Sequence, residues 1–337
     1  MGKSLHGFAR RVASSAALGF LWHNRRFRRL GTGPCRIGAM SLAMKIDLHS
    51  HTYFSDGLLS PAELVERAVG QKVDVLAITD HDTVLGLAPA QQAITEAQLP
   101  IQLISGVEIS TSWHEFEIHI VGLGIDANDP VFLQRLATQQ QRRIERAQEM
   151  ARRLTKHQVP DCFEDVLALA HGGAITRTHF ARHLVNIGKA NSLSGVFKHY
   201  LARGKAGYVP NNWIGLSDAI AWIHDAGGIA VLAHPLKYKL NGKWLTRLMQ
   251  EFSLAKGNAA EVASPQQTPV QKREIWRLCQ QFSLVASVGS DFHQPTAWNE
   301  LGRGLYMTDD IVPVWQAYPQ LIVQPESASA VSSHTVG

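Results

Sequence analysis

The sequence predicts an α/β fold, a barrel of parallel strands interrupted by a helical insertion. Three observations predict it: short apolar runs alternate with amphipathic helical stretches from Lys45, the strand signal lapses over residues 128–210, and most strand ends are followed by His, Asp or Glu. A chain of 337 residues, 45% apolar and 18% charged, is ordinary for a globular protein and can bury one large core or two small ones.

The elements follow in order. KIDLH, from Lys45, reads as the first strand, and Ser60-Pro61-Ala62-Glu63 supplies an N-cap, a first-turn proline and the acid of a capping box for a helix that Gly70 closes. VDVLAIT is the second strand, followed by Asp80-His81-Asp82 and a helical stretch ending near Leu99. IQLISGVEIS and EFEIHIVGLGI are the next strands, with His119 on the face opposite Ile118 and Ile120. QRRIERAQEMARRL and its neighbours are helical and rich in Arg and Gln, with breaks at Pro160 and Gly172-Gly173. SDAIAWIHDAGG is a glycine-stopped helix, while GGIAVLAHP, NAAEVAS and SLVASVGSDFH are the remaining strands. The boundaries are a barrel over 45–127 and 211–312, an insertion over 128–210, and a C-terminal tail over 313–337 whose PESASAVSSHTVG stretch reads as disordered.

Residues 1–44 form a basic leader, with eight Lys or Arg and no Asp or Glu, and read as a disordered segment or an over-extended start. Removing those eight from the formal +5 leaves −3 for residues 45–337, so the basic balance says little about the folded body. Cys35, Cys162 and Cys279 stand far apart with no CxxC pair, which argues against a disulfide framework or thiolate metal site and fits a cytoplasmic location. No apolar run approaches the roughly 18 residues of a membrane span, so no membrane partner is expected, and no obligate protein partner is inferred.

The chemistry gathers at strand ends. In His49-Ser50-His51 an extended backbone places both imidazoles on one side, a spacing suited to a metal ion. Asp56 follows. His81 comes directly after the second strand, Glu108 ends IQLISGVE, His119 lies in a strand, His234 closes GGIAVLA, and Asp291 and His293 follow SLVASVGS. At the carboxyl rim of a barrel such residues converge. Nitrogen and oxygen donors without cysteine suit Zn, Mn or Fe. One ion takes about four to six donors, so nine candidates point to two or three divalent ions sharing a bridging carboxylate. The other histidines read as ordinary surface or core residues. Asp80 and Asp82, flanking His81, read either as partners that orient imidazoles or as strand-end caps.

HSHTYFSDG, AITDHD, GVE, AHP and GSDFH resemble, in order, the metal motifs of the polymerase and histidinol phosphatase (PHP) family. The Arg-Thr-His at Arg177, the long helical insert and Asp56 look like the branch of nucleoside 3′,5′-bisphosphate phosphatases and 5′-to-3′ exoribonucleases. Histidinol phosphatases of the family often carry His where this chain has Asp56. The resemblance implies a distorted seven-stranded barrel and three ions: His49, His51, Glu108 and Asp291 on one, Glu108, His119 and His234 on another, Asp56, His81 and His293 on the third. It implies a phosphoesterase that hydrolyses 3′,5′-bisphosphate nucleotides, and short RNA from its 5′ end, through a metal-bridging hydroxide with no side-chain nucleophile.

A doubly phosphorylated nucleotide or RNA end needs a second anionic contact, for which Arg is suited. Arg142 and Arg146 on the insert helix, with Arg177 and His179, are the candidates, while Arg143 reads as part of a solvated face. Lys205, Tyr208 and Trp213 read as base-stacking or hinge residues. Two alternatives remain at this point: a histidinol-phosphate phosphatase, and a non-catalytic PHP module that binds nucleic acid or a protein.

Overall fold

A computed structural model of the chain describes residues 44–308 and 310–322. The leader, Cys35 and PESASAVSSHTVG lie outside the described residues. Eight strands are present: β1 (Ile46–Asp47), β2 (Val75–Ile78), β3 (Gln102–Trp113), β4 (Phe116–Leu123), β5 (Ile214–Gly215), β6 (Ile229–Leu232), β7 (Ala259–Ala263) and β8 (Val285–Val288). Seven pair in the order β1-β2-β3-β4-β6-β7-β8, and β5 pairs β3 to one side. Hydrogen bonds from Leu48 N to Val288 O (3.2 Å) and from Asp291 N to His49 O (2.9 Å) draw β8 against β1, so the sheet is a nearly closed, distorted barrel.

The barrel is not all parallel, as the sequence had led us to expect. β4 runs antiparallel to both β3 and β6. Only His114 and Glu115 separate β3 from β4, a connection that permits a hairpin but no parallel crossover. β3 is also longer than expected. Its first residues pair with β2, its remainder pairs with β4, and Glu108 lies inside it rather than at its end. The change of partner occurs at Gly106, where a Cβ would stand 2.8 Å from Ile78 O and 3.2 Å from Gly122 O.

Helices α1 (Pro61–Gly70) and α2 (Leu87–Glu96) cover one side, and α1 carries the expected Ser60/Glu63 capping box. Then come α3 (Pro130–Thr155), α4 (Phe163–Ala168), α5 (Arg177–Asn186), α6 (Leu193–Val196) with a π-helical turn at Phe197–Leu201, α7 (Leu216–Asp225), α8 (Gly242–Leu254), α9 (Pro269–Gln281) and α10 (Val314–Ala317). Alternation divides the strands. Val75 and Ala77 face the barrel interior, Leu76 and Ile78 face α1 and α2. The early turns of α3 pack Phe132 and Leu136 on the main core, and its later turns pack Met150 and Leu154 in a separate core with Phe180, Leu184 and Leu201.

Residue 313 does not begin a free tail. Val314, Leu321 and Ile322 are buried against Ile46, Val75 and Val231 at the amino end of the strands. These are apolar residues with a core to enter. No described helix is long and apolar enough to cross a membrane. Cys162 and Cys279 are buried free thiols.

Candidate metal centre

Glu108 is the hub. Its Oε1 lies 3.0 Å from His119 Nδ1, 3.0 Å from His234 Nε2 and 3.4 Å from His49 Nε2. Its Oε2 lies 3.0 Å from His81 Nδ1 and 3.3 Å from His51 Nε2. The hairpin explains part of this: Ser110 sits opposite His119, so Glu108, two residues along β3, is the diagonal neighbour of His119 on one face.

Two further carboxylates flank the hub. Asp291 Oδ1 is 3.4 Å from His49 Nε2, 3.2 Å from His51 Nε2 and 3.5 Å from His293 Nδ1. Asp56 Oδ1 is 3.1 Å from His293 Nε2 and 3.6 Å from His81 Nε2. His234 and Asp291 hold their places in left-handed backbone, at φ 29° and 51°, conformations costly for non-glycine residues and common at functional sites.

All nine expected donors converge. Donor atoms within 4.8 Å of one another fall into three groups: His49, Glu108, His234 and Asp291; His51, Asp56, His81 and His293; and His81, Glu108 and His119. The partition differs from the expected one, since His234 joins the first group and His51 the second. His114, His157, His171, His183, His199 and His224 join none.

The donors fit divalent cations. Asp56 Oδ1, His81 Nδ1, Glu108 Oε2 and His234 Nδ1 are buried without a hydrogen-bond partner, a costly state that an ion relieves. The electrostatics agree. Burial alone would raise the Glu108 carboxyl, but the neighbouring His49, His119 and His81 hold it well below the usual range. Burial would lower His119, but Glu108 and Glu117 push it up to about 10. The inward nitrogens therefore sit in a strongly negative field.

Outer contacts orient the donors. His49 Nδ1 is 2.6 Å from Glu261 Oε1, and Glu261 Oε2 accepts the His234 backbone N–H at 2.7 Å. At Gly289 a Cβ would stand 2.3 Å from His49 Cβ, so glycine is needed for this approach. His51 Nδ1 meets Ser55 Oγ at 3.2 Å, and Ser55 Oγ donates to Asp80 Oδ1 at 2.6 Å. Asp80 thus reaches an imidazole through a serine. Asp82 touches none. It accepts the Ser110 N–H at 2.9 Å and Arg143 Nε at 2.7 Å. Tyr238 accepts the His119 N–H at 2.9 Å and donates to Ala233 O at 3.0 Å, and Lys237 pairs with Asp291.

Beside the histidines lies a cavity of about 160 Å³ whose lining includes Asp56, His81 and His119 together with Arg143, Arg146, Arg177 and Phe197. Arg177 Nη2 is 3.1 Å from Glu117 Oε2. The Trp213 ring supports the guanidiniums of Arg143 and Arg146, 4.9 Å and 5.3 Å from its centroid. Three expectations change here. Arg143, taken as solvated, is buried and faces the cavity, whereas Arg142 turns away to Asn212 O at 3.2 Å. His179 is buried, its Nδ1 accepting the Thr176 N–H at 3.0 Å as part of the α5 cap, and burial depresses it to about 4. Neither Arg142 nor His179 lines the cavity.

Glu261, Glu117, Lys237 and Tyr238 carry no role in the sequence analysis, and Trp213, expected to stack a base or pack a hinge, lies under two arginines. Glu261 had a signal, a lone acid in an otherwise apolar buried strand.

Comparisons with known proteins bear on the family. A PHP domain profile matches residues 47–223. The 5′-3′ exoribonuclease Rnm of Escherichia coli strain K12 is 52% identical over 278 residues, 82% of this chain and 95% of the relative. A 3′,5′-nucleoside bisphosphate phosphatase of Chromobacterium violaceum is 39% identical over 285 residues, 83% of this chain and 98% of the relative. A solved amidohydrolase structure from Chromobacterium violaceum, with sulfate bound and no metal, superposes with a TM-score of 0.77 at 38% identity, over 84% of this chain and 99% of that one.

Proposed function

Because the chain belongs to the PHP domain family, we propose that it is a phosphoesterase hydrolysing 3′,5′-bisphosphate nucleotides to the 5′-monophosphate and phosphate, and short RNA from its 5′ end. The observation that carries the reading is the convergence of five imidazoles on the single carboxylate of Glu108, with Asp56 and Asp291 flanking them. Three ions, Mn, Zn or Fe, have donors in the three groups. When bound, such ions supply Lewis acidity toward the phosphoryl group and lower the pKa of water towards ~7.

The chain's own residues do the rest. Glu261 and Tyr238 fix His49, His234 and His119, and Asp80 fixes His51 through Ser55. Arg177 and Arg146 bind the phosphate that is not cleaved, while Arg143, also in the cavity lining and paired with Asp82, adds positive charge beside them. Arg177 exchanges Glu117 for that phosphate. A nucleotide or RNA substrate and the free thiols are consistent with work in the cytoplasm.

The test is incubation of the pure protein with Mn²⁺ and adenosine 3′,5′-bisphosphate, histidinol phosphate or a 5′-phosphorylated RNA oligomer, following phosphate and mononucleotide release. Release from the nucleotide and the oligomer is expected. Turnover of histidinol phosphate alone would overturn the proposal.

A further inference from the structure

The segment following α4 grips one loop of the metal centre and leaves the other donors to the barrel. Ala174 N donates to Phe54 O at 2.7 Å, and Gly173 comes so close that a Cβ there would stand 1.9 Å from Phe54 O. Arg182, on α5, donates through Nη2 to Asp56 O at 2.6 Å and through Nη1 to Gly57 O at 3.4 Å. Thr176 Oγ1 donates to Asp56 Oδ2 at 3.3 Å. The Asp56 carboxylate is thereby divided: Oδ2 is held by Thr176, and buried Oδ1, with no hydrogen-bond partner, points at His293 and His81.

The contrast with the other acidic donors is marked. Glu108 rides on β3, and Asp291 is held by Lys237 and by its own backbone N–H to His49 O. From this geometry, and resting on the reading of Asp56 as a ligand, we infer that Thr176 and Arg182 are positioning residues for Asp56 that set the affinity of one ion of the cluster selectively. The helical insertion is then part of the metal centre as well as a substrate wall. Its α5 begins with Arg177, which lines the cavity, directly after Thr176, which holds the ligand. Substrate phosphate and the carboxylate that takes this one ion are therefore held by adjacent residues of the same helix start.

The experiment uses the full chain, stripped with chelator and titrated with Mn²⁺ by calorimetry, with bound metal counted by elemental analysis after desalting. For Thr176→Val and Arg182→Ala, one Mn²⁺ is expected to bind roughly 10- to 100-fold more weakly, the usual effect of removing a group that orients a ligand, with the remaining ions unchanged. Arg182→Lys should recover part of the loss. Asp56→Ala should lose the same ion. If Asp56→Ala loses one ion while both outer variants bind like wild type, the inference is overturned and the ligand reading stands. If Asp56→Ala keeps every ion, both fall. Uniform weakening of all ions in Thr176→Val and Arg182→Ala would mark a general structural effect and also overturn the inference. Should Arg182→Ala fail to fold, Thr176→Val decides the matter: it exchanges the hydroxyl for a methyl and so also removes the α5 cap on the Thr178 N–H, and circular dichroism shows whether the helix is kept.

Discussion

At Glu261 one carboxylate spans two histidines proposed as metal ligands, taking His49 Nδ1 on one oxygen and the His234 backbone N–H on the other. Replacing it by Gln removes the charge that fixes the His49 tautomer but keeps the shape, so Glu261→Gln is expected to weaken metal binding roughly 10- to 100-fold with the fold intact. Elemental analysis beside circular dichroism checks this. Arg177 presents the opposite case. Its guanidinium lies on the cavity wall, paired with Glu117 and outside the ligand shell. Arg177→Ala should raise KM for the bisphosphate nucleotide roughly tenfold or more while metal content stays unchanged, since a hydrogen bond to a charged group is worth about 1.5–3 kcal/mol. Steady-state kinetics with parallel metal analysis would expose a purely structural role, in which kcat and metal content fall together.

Among the elements, α3 shows why the reading of Arg142 and Arg143 inverted. Phe132, Leu136, Arg143, Met150 and Leu154 are all buried on one stripe of this helix, and Arg142 is off it. The apolar members of that stripe were visible in the sequence. Extending their spacing across the polar QRRIER stretch would have placed Arg143 inward. What the spacing lacks is the partner: Asp82, in left-handed backbone at φ 48°, lies 61 positions away in the chain. Arg143 and Asp82 are both buried, so Asp82→Asn, which tolerates that backbone, leaves an uncompensated guanidinium and should cost about 3 kcal/mol or more. A urea midpoint lowered at unchanged slope is the expected result. The same distinction governs the site. That its nine candidate donors would converge was legible because His, Asp and Glu recur at successive strand ends. Glu261 stood out only as an acid in an apolar strand, and its role depends on His49, 212 positions away. The two residues His114-Glu115 are too few for a parallel crossover, so the spacing of the two strand runs already implies the antiparallel β4.

For the whole molecule, the mouth of the barrel is a concentration of buried charge that the fold can bear only if something positive sits within it. Without ions, protons take that part. Burial would lower His51 and His119, yet Asp291 and Glu108 raise His51 to about 9, and Glu108 with Glu117 raises His119 to about 10. A histidine whose folded pKa exceeds its ordinary 6.5 contributes stability that is complete below that value and is lost as pH climbs through the folded pKa. The chelator-stripped protein should therefore lose stability progressively above about pH 7, with most of the His51 share gone by about pH 9. In the Mn²⁺-loaded protein the same nitrogens face a cation in place of a proton, and binding adds RT ln(1 + [L]/Kd) to the native state. Its melting temperature should be higher at neutral pH and hold more nearly level as the pH rises. Thermal melts of stripped and loaded protein across this range check the prediction. Parallel curves would mean that the imidazoles are not what balances the carboxylates, and a stripped protein that grows more stable toward alkaline pH would reverse the sign of the argument.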